Sequence, residues 1–216
     1  MSKYDIALFD LDGTISASAE GIKYCLMKTL DAMGKAHPDL SDYSKYIGPP
    51  LLHTFQNLCG LSAQEAQQAV EIYVKLYDVD GLRQNKLFDG IDTVLLALKD
   101  SDVKVAVCSS KHEAIATRVV ELLGVYDCFD EICGSTIDGT RKEKEELIPY
   151  ALSKLGAKDD DCVVMIGDTK FDAKGAVHCK VDFIGVTYGY GTLSDMKSAG
   201  GTVFVDKAPE LLDLIL

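Results

Sequence analysis

The second half of the chain alternates short, unbroken apolar runs with helix-length amphipathic stretches, and few folds tolerate that pattern. The runs are residues 103–108, 129–133, 162–166 and 183–186, with 203–205 as one more candidate. A strand with one wet face alternates apolar and polar residues, whereas Cys162-Val163-Val164-Met165-Ile166 is apolar throughout, as in a strand covered on both faces. Helical patterns fall between the runs: 91–98, 114–123 closed by Gly124, 147–155 closed by Gly156, 173–178, and 209–216 at the end. Strands alternating with helices predict an α/β fold with a parallel sheet between helical layers.

Near the start, Ile6-Ala7-Leu8-Phe9 forms another such run and ends abruptly in Asp10-Leu11-Asp12-Gly13-Thr14. Beyond Thr14 the chain differs in kind. Ile22, Leu26, Met27 and Leu30 recur at helical spacing, with Gly34 as a stop, and Pro38, Pro49 and Pro50 punctuate the next stretch. Leu51, Leu52, Phe55 and Leu58 predict a short second helix ending at Gly60. Ser62-Ala63-Gln64-Glu65 is a capping box that starts a third helix through Val70, Val74 and Tyr77. This segment of about 70 residues, without a strand pattern, is too long for a plain βα connection. It predicts a helical domain over residues 16–85, inserted into an α/β core made of 1–15 and 86–216.

Bulk properties narrow the function. The formal net charge of -12 argues against a nucleic-acid backbone or an anionic membrane as main partner. No apolar run approaches 18 residues, and Asp5, Asp10 and Asp12 interrupt the first run, so neither a membrane span nor a signal peptide is expected. The seven cysteines form no CxxC pair, and Cys108, Cys133 and Cys162 sit in apolar runs, which predicts buried, reduced thiols in a cytoplasmic protein. His37, His53, His112 and His178 show no zinc-ligand spacing.

In a parallel sheet the strand ends share one edge, where ligands bind. Three ends carry chemistry: Asp10 and Asp12 after the first strand, Ser109 after the second, and Asp168 with Asp172 after the most apolar one. Four carboxylates brought together repel one another, and a hard cation such as Mg²⁺, which prefers oxygen ligands and keeps some water, relieves that. Arg141, Lys142 and Lys144, ahead of a helix, compete to supply a protein cation. Acids, Mg²⁺ and a lysine together suit phosphoryl transfer, with an aspartate able to act as nucleophile. Other phosphate chemistries fail on their motifs: Gly134 and Gly139 have P-loop spacing, but Thr140 stands where lysine is required, and no cysteine has an arginine six residues later.

Asp10-Leu11-Asp12-Gly13-Thr14 resembles the DxDGT motif of the haloacid dehalogenase superfamily, and Gly167-Asp168-Thr169-Lys170-Phe171-Asp172 its GDxxxD motif. Ser109 resembles its strand-ending Ser/Thr, and Lys144 its lysine, favoured over Arg141 and Lys142 by spacing to the helix. The resemblance covers nearly the whole chain and implies a Rossmann-like parallel sheet core with an inserted all-helical cap domain. It also implies roles. Asp10 is the expected nucleophile, forming an aspartyl-phosphate, and Asp12 the acid and then the base, its carbonyl a metal ligand. Asp168 is an expected direct Mg²⁺ ligand together with Asp10, and Asp172 either a ligand or a residue that supports one. Ser109 and Lys144 anchor the phosphate, with Gly13, Thr14 and Ser110 beside it. The second aspartate points to phosphate esters rather than halides. The helical insertion and Tyr46-Ile47-Gly48-Pro49-Pro50-Leu51 look most like phosphoglycolate phosphatases, whose relatives include 5'-nucleotidases, pyrophosphatases and β-phosphoglucomutase. The expected substrate is a small phosphorylated metabolite and the expected assembly a monomer or weak homodimer. Lys23, His53 and Arg83 in the insertion are candidates to touch substrate but read more simply as surface or packing residues. Tyr188-Gly189-Tyr190-Gly191 follows the last main strand and is a candidate to border the site, but reads more simply as a flexible turn.

Overall fold

In a computed structural model, which describes residues 2–41, 43–136 and 140–216, the apolar runs assemble into one parallel sheet. Its strands are β1 (Ile6–Phe9), β2 (Lys104–His112), β3 (Glu131–Ser135), β4 (Val163–Gly167), β5 (Asp182–Val186) and β6 (Val203–Val205), in the order β3-β2-β1-β4-β5-β6. β1 lies in the middle, Phe9 standing opposite Val107 on one side and Ile166 on the other. The sheet grows outward in both directions from the β1–β4 pair. That reversal opens a crevice at the strands' carboxyl ends, the ordinary ligand position in such sheets.

Both faces of the sheet are dry, which is why its strands carry no polar alternation. Ile6, Leu8, Ala106, Cys108 and Met165 pack under α6 (Lys144–Leu155) and α7 (Lys170–Cys179), through Leu147, Ile148, Ala151, Ala173 and Ala176. Ala7, Phe9, Val105, Val107, Val164 and Ile166 turn the other way, onto α4 (Ile91–Lys99), α5 (Glu113–Leu122) and α9 (Glu210–Ile215). Successive strand residues thus feed opposite cores, as a period of two requires.

The insertion is helical: α1 (Ala19–Ala32), α2 (Leu51–His53) running into a π-helical turn Thr54–Leu58, and α3 (Ala63–Leu76) continuing through a second π-helical turn, Tyr77–Gly81. Ser62 and Glu65 form the reciprocal capping box at the start of α3. The insertion's apolar residues Cys25, Leu26, Phe55, Tyr73 and Tyr77 belong to the same buried cluster as the α4–α5–α9 face of the sheet. Its two connecting segments run side by side, with the Ala17 N–H donating to the Lys86 carbonyl at 2.7 Å and the Phe88 N–H to Ile15 at 3.1 Å.

Several boundaries differ from the sequence reading. β2 does not stop at Ser109 but continues to His112, because a register shift after Cys108 lets it keep pairing with β3. α6 begins at Lys144 and α7 at Lys170, each several residues early, since Glu146 and Asp172 reach back to cap the helix starts. α8 (Leu193–Ser198), held by the Thr192 hydroxyl accepting from the Asp195 N–H at 3.1 Å, has no counterpart in the periodicity. Cys162 is exposed rather than buried, because β4 starts one residue later; its N–H donates to the Asp5 carboxylate. All seven thiols are free. Gly139 of the rejected P-loop spacing lies outside the described residues. No helix among the described residues is long and apolar enough to cross a membrane.

Candidate active site

Asp10 follows β1 directly and prolongs its pairing, its N–H donating to the Ile166 carbonyl at 2.8 Å. The side chain therefore leaves the sheet at the β1–β4 crevice, 5% exposed. A few residues on, the chain must turn sharply. Gly13 does so at φ +95°, and a Cβ there would lie 2.2 Å from the Asp168 carboxylate, so no larger residue fits.

Asp168 stands at the end of β4 and is fully buried. One oxygen accepts from the Tyr190 N–H at 2.7 Å and the Gly191 N–H at 3.3 Å, the other from the Thr14 hydroxyl at 3.3 Å. The Tyr188 hydroxyl also donates to the Thr14 carbonyl, and Tyr190 Oη accepts from the Ala19 N–H, both at 3.0 Å. The 188–191 segment is therefore not a loose turn. It clamps Asp168, the Thr14 turn and the start of α1. Gly13 and Thr14 serve here in seating Asp168, and the Thr14 hydroxyl is already committed to it.

Asp172 lies in the first turn of α7, also fully buried. Its Oδ2 caps the helix, accepting from the Thr169 N–H at 3.0 Å and the Thr169 hydroxyl at 2.7 Å. Its Oδ1 is ion-paired with Lys144 Nζ at 2.7 Å and makes no hydrogen bond. Lys144, 3% exposed, comes from the first residue of α6 and donates to Asp10 Oδ1 at 2.7 Å and the Cys108 carbonyl at 2.6 Å. Of the three basic residues ahead of this helix, Lys144 alone enters the acid cluster. Arg141 pairs with Glu113 at 2.7 Å and stacks on Tyr150, so it is a structural contact rather than a solvated charge.

Asp10, Asp168 and Asp172 can each offer an oxygen such that all lie within 4.8 Å of one another. Burial, with the neighbouring Asp172 and Asp12 charges, raises the Asp10 carboxyl to about 6 against the pull of Lys144. Burial, then Asp172 and Asp10, holds Asp168 well above the usual carboxylate range. Burial acts to lower the Lys144 ammonium, but Asp10 and Asp172 outweigh it and hold it above its ordinary value. One ammonium against three buried acids leaves negative charge uncompensated, and one buried Asp172 oxygen lacks a hydrogen bond. A small divalent cation with a preference for oxygen fits this donor set.

The Asp12 carboxylate does not join that cluster. Both its oxygens accept from Lys111 Nζ, at 3.0 and 2.7 Å. Sequence reading gives Lys111 no role; its place right after Ser109-Ser110 on a strand end is the available signal. Ser109 is buried, its Oγ accepting from the Lys111 N–H at 3.3 Å, and Ser110 lines the cleft above. That cleft runs from Asp10, Asp12 and Ser109 to an apolar wall formed by the insertion, including Tyr46, Pro49, Pro50, Leu51, Tyr73 and Val74. Lys142 lines it as well. Lys23, His53 and Arg83 do not: Lys23 lies over the Tyr43 ring and His53 pairs with Asn57 at the surface.

Comparison with known proteins agrees with this arrangement. A family model described as haloacid dehalogenase-like hydrolase matches residues 7–186. A 5'-nucleotidase from Pseudomonas aeruginosa is 37% identical over 196 residues, covering 91% of this chain and 88% of that one. Tyrosine-protein kinase PtkA from Mycobacterium tuberculosis is 32% identical over 203 residues, covering 94% and 69%. The crystal structure of a predicted phosphatase from Clostridium acetobutylicum superposes with a TM-score of 0.91 at 36% identity, over 97% of each chain.

Proposed function

The chain belongs to the haloacid dehalogenase-like hydrolase family, and from that membership we propose that it is a Mg²⁺-dependent phosphatase of small phosphate monoesters, working through an aspartyl-phosphate on Asp10. The observation that carries the reading is the meeting of Asp10, Asp168 and Asp172 with Lys144 behind a cleft that Asp10 lines. Lys144 holds Asp10 Oδ1, and among the described residues Oδ2 has no hydrogen-bond partner, so it is the oxygen available to attack phosphorus.

Asp10 Oδ2 forms the new P–O bond as the ester P–O bond breaks, and Asp12, which takes up a proton on one oxygen as substrate binds, gives that proton to the departing oxygen. Asp12, now a carboxylate, takes a proton from the water that attacks the same phosphorus. Cleavage of the aspartyl-phosphate then restores Asp10 and releases phosphate. Ser109 and Lys144 anchor the phosphoryl oxygens, and Ser110 stands above them. Asp10, Asp168, Asp172 and the Asp12 carbonyl would hold Mg²⁺, which when bound would supply positive charge against the phosphoryl oxygens. Fixed positive charge aimed at the transferring group is usually the main catalytic contribution in such sites.

Residues 16–85 act as a cap over the core of 1–15 and 86–216, excluding water when substrate is bound. The sequence motifs favour a phosphoglycolate-like ester. The apolar wall supports a second reading: a two-carbon acid would leave Tyr46, Pro49, Pro50 and Val74 uncovered, whereas the ring of a nucleoside monophosphate would cover them. A relative named 5'-nucleotidase agrees with the second. Assaying phosphate release from phosphoglycolate, pyrophosphate, nucleoside monophosphates and hexose phosphates, and hexose phosphate isomerisation, ranks them. Asp10→Asn abolishes release from every ester that wild type hydrolyses, and EDTA does so reversibly. Near-normal turnover by Asp10→Asn sinks the mechanism.

A further inference from the structure

We propose that Lys111 is a positioning residue for Asp12, tying its carboxylate to the helical insertion through Tyr77. The proposal rests on the phosphatase reading above. Lys111 is almost wholly buried, its side chain 8% exposed, and its ammonium takes both Asp12 oxygens. A carboxylate held through one oxygen can still swing about its Cβ–Cγ bond. Held through both, it turns only by leaving its partner.

The ammonium is itself fixed from the other side, 4.3 Å from the centroid of the Tyr77 ring. Tyr77 is fully buried in the insertion and stacks on Tyr73 at 5.7 Å. Its hydroxyl donates to Asn85 Oδ1 at 3.1 Å, which also accepts from the Ser16 hydroxyl at 2.8 Å. Ser16 and Asn85 sit on the two segments that join the insertion to the sheet. An unbroken line of contacts thus runs from both connections through Tyr77 and Lys111 to Asp12.

Two other roles for Lys111 fit less well. The cation on Asp10 is Lys144, so the phosphate-anchoring position is already taken. A purely structural role is weakly motivated, because a buried ion pair adds little net stability over an apolar pair of the same volume. What this pair does provide is one orientation for a group that works only within hydrogen-bond reach of the leaving oxygen. The placement of the insertion therefore sets the aim of Asp12.

Leaving-group dependence tests this. An alkyl phosphate needs a proton on its departing oxygen, while p-nitrophenolate leaves without one. kcat/KM reports the step in which that bond breaks, free of the later hydrolysis. Lys111→Met should lower kcat/KM for an alkyl phosphate about 100-fold, the scale of lost general-acid catalysis, but for p-nitrophenyl phosphate only about threefold. Lys111→Arg, which keeps the charge and guards against a folding defect, should restore the alkyl ester to within about tenfold. In an Asp12→Asn background, Lys111→Met should add no further loss on the alkyl ester. Equal losses on both esters, no loss on either, no rescue by arginine, or an additive loss in that background overturns the assignment and leaves the phosphatase reading standing. Wild type that hydrolyses neither ester overturns both.

Discussion

Replacing Gly175 with alanine should disable the enzyme from outside the cleft. Gly175 lies on α7 where that helix crosses α6, and an alanine Cβ would stand 2.3 Å from Lys144 Cβ and 3.3 Å from its Cα. The neighbour met is the root of Lys144, not its flexible tip, so the residue must move as a whole. Relief to an ordinary contact at 3.4 Å requires the two helices to part by about 1 Å. Lys144 Nζ now sits 2.7 Å from Asp10, 2.7 Å from Asp172 and 2.6 Å from the Cys108 carbonyl. The same displacement would stretch these contacts past hydrogen-bond length. Overpacking of this kind costs about 1–3 kcal/mol, which at this chain length lowers Tm by about 2–12 °C. The larger effect is on rate, since misplacing a catalytic group by about 1 Å costs about 100-fold. Urea unfolding and phosphate release from p-nitrophenyl phosphate measure the two quantities. A variant that keeps wild-type stability and kcat/KM within about threefold would refute the claim that the α6–α7 contact aims Lys144.

Asp168→Asn removes one charge from the buried acid cluster while keeping an oxygen for the Tyr190 and Gly191 amides. In EDTA the variant should melt at or above wild type, and it should lack the rise in Tm that Mg²⁺ gives wild type, equivalent to about 2.7 kcal/mol at a hundred times Kd; a variant that melts lower in EDTA, or still responds to Mg²⁺, contradicts the cluster as a metal site. Cys162 is the one exposed thiol of seven. Ellman's reagent should label one thiol per folded chain rapidly and all seven in guanidinium, and rapid labelling that survives Cys162→Ser would show that the exposed thiol lies elsewhere.

The parallel sheet was legible because burial on both faces leaves its mark residue by residue. Val164, Met165 and Ile166 are apolar whichever way they point. Element boundaries were less legible, because they depend on partners distant in sequence. β2 runs on to His112 only because β3 keeps pairing across a register shift, and α7 starts at Lys170 only because Asp172 turns back onto Thr169. The site divides in the same way. Aspartates at strand ends could be found from local pattern, whereas Lys111 could not, since a lysine two residues past Ser109 looks the same in sequence whether it faces water or an acid. The order of the 188–191 segment is hidden for a related reason. Its glycines and tyrosines suggest flexibility until Asp168, about twenty residues earlier, occupies its two amides.

By itself, then, the sequence determined the sheet, the helical insertion, and which acids stand at the strand ends, since hydrophobic periodicity and short motifs are local properties. Only the tertiary structure decided how those acids are partnered. It gathers Asp10, Asp168 and Asp172 around Lys144, and it turns Asp12 away onto Lys111 beneath Tyr77. The physical reason is that charge compensation in a buried site acts through distance, and residues 12, 77 and 111 become neighbours only when the insertion closes back on the sheet.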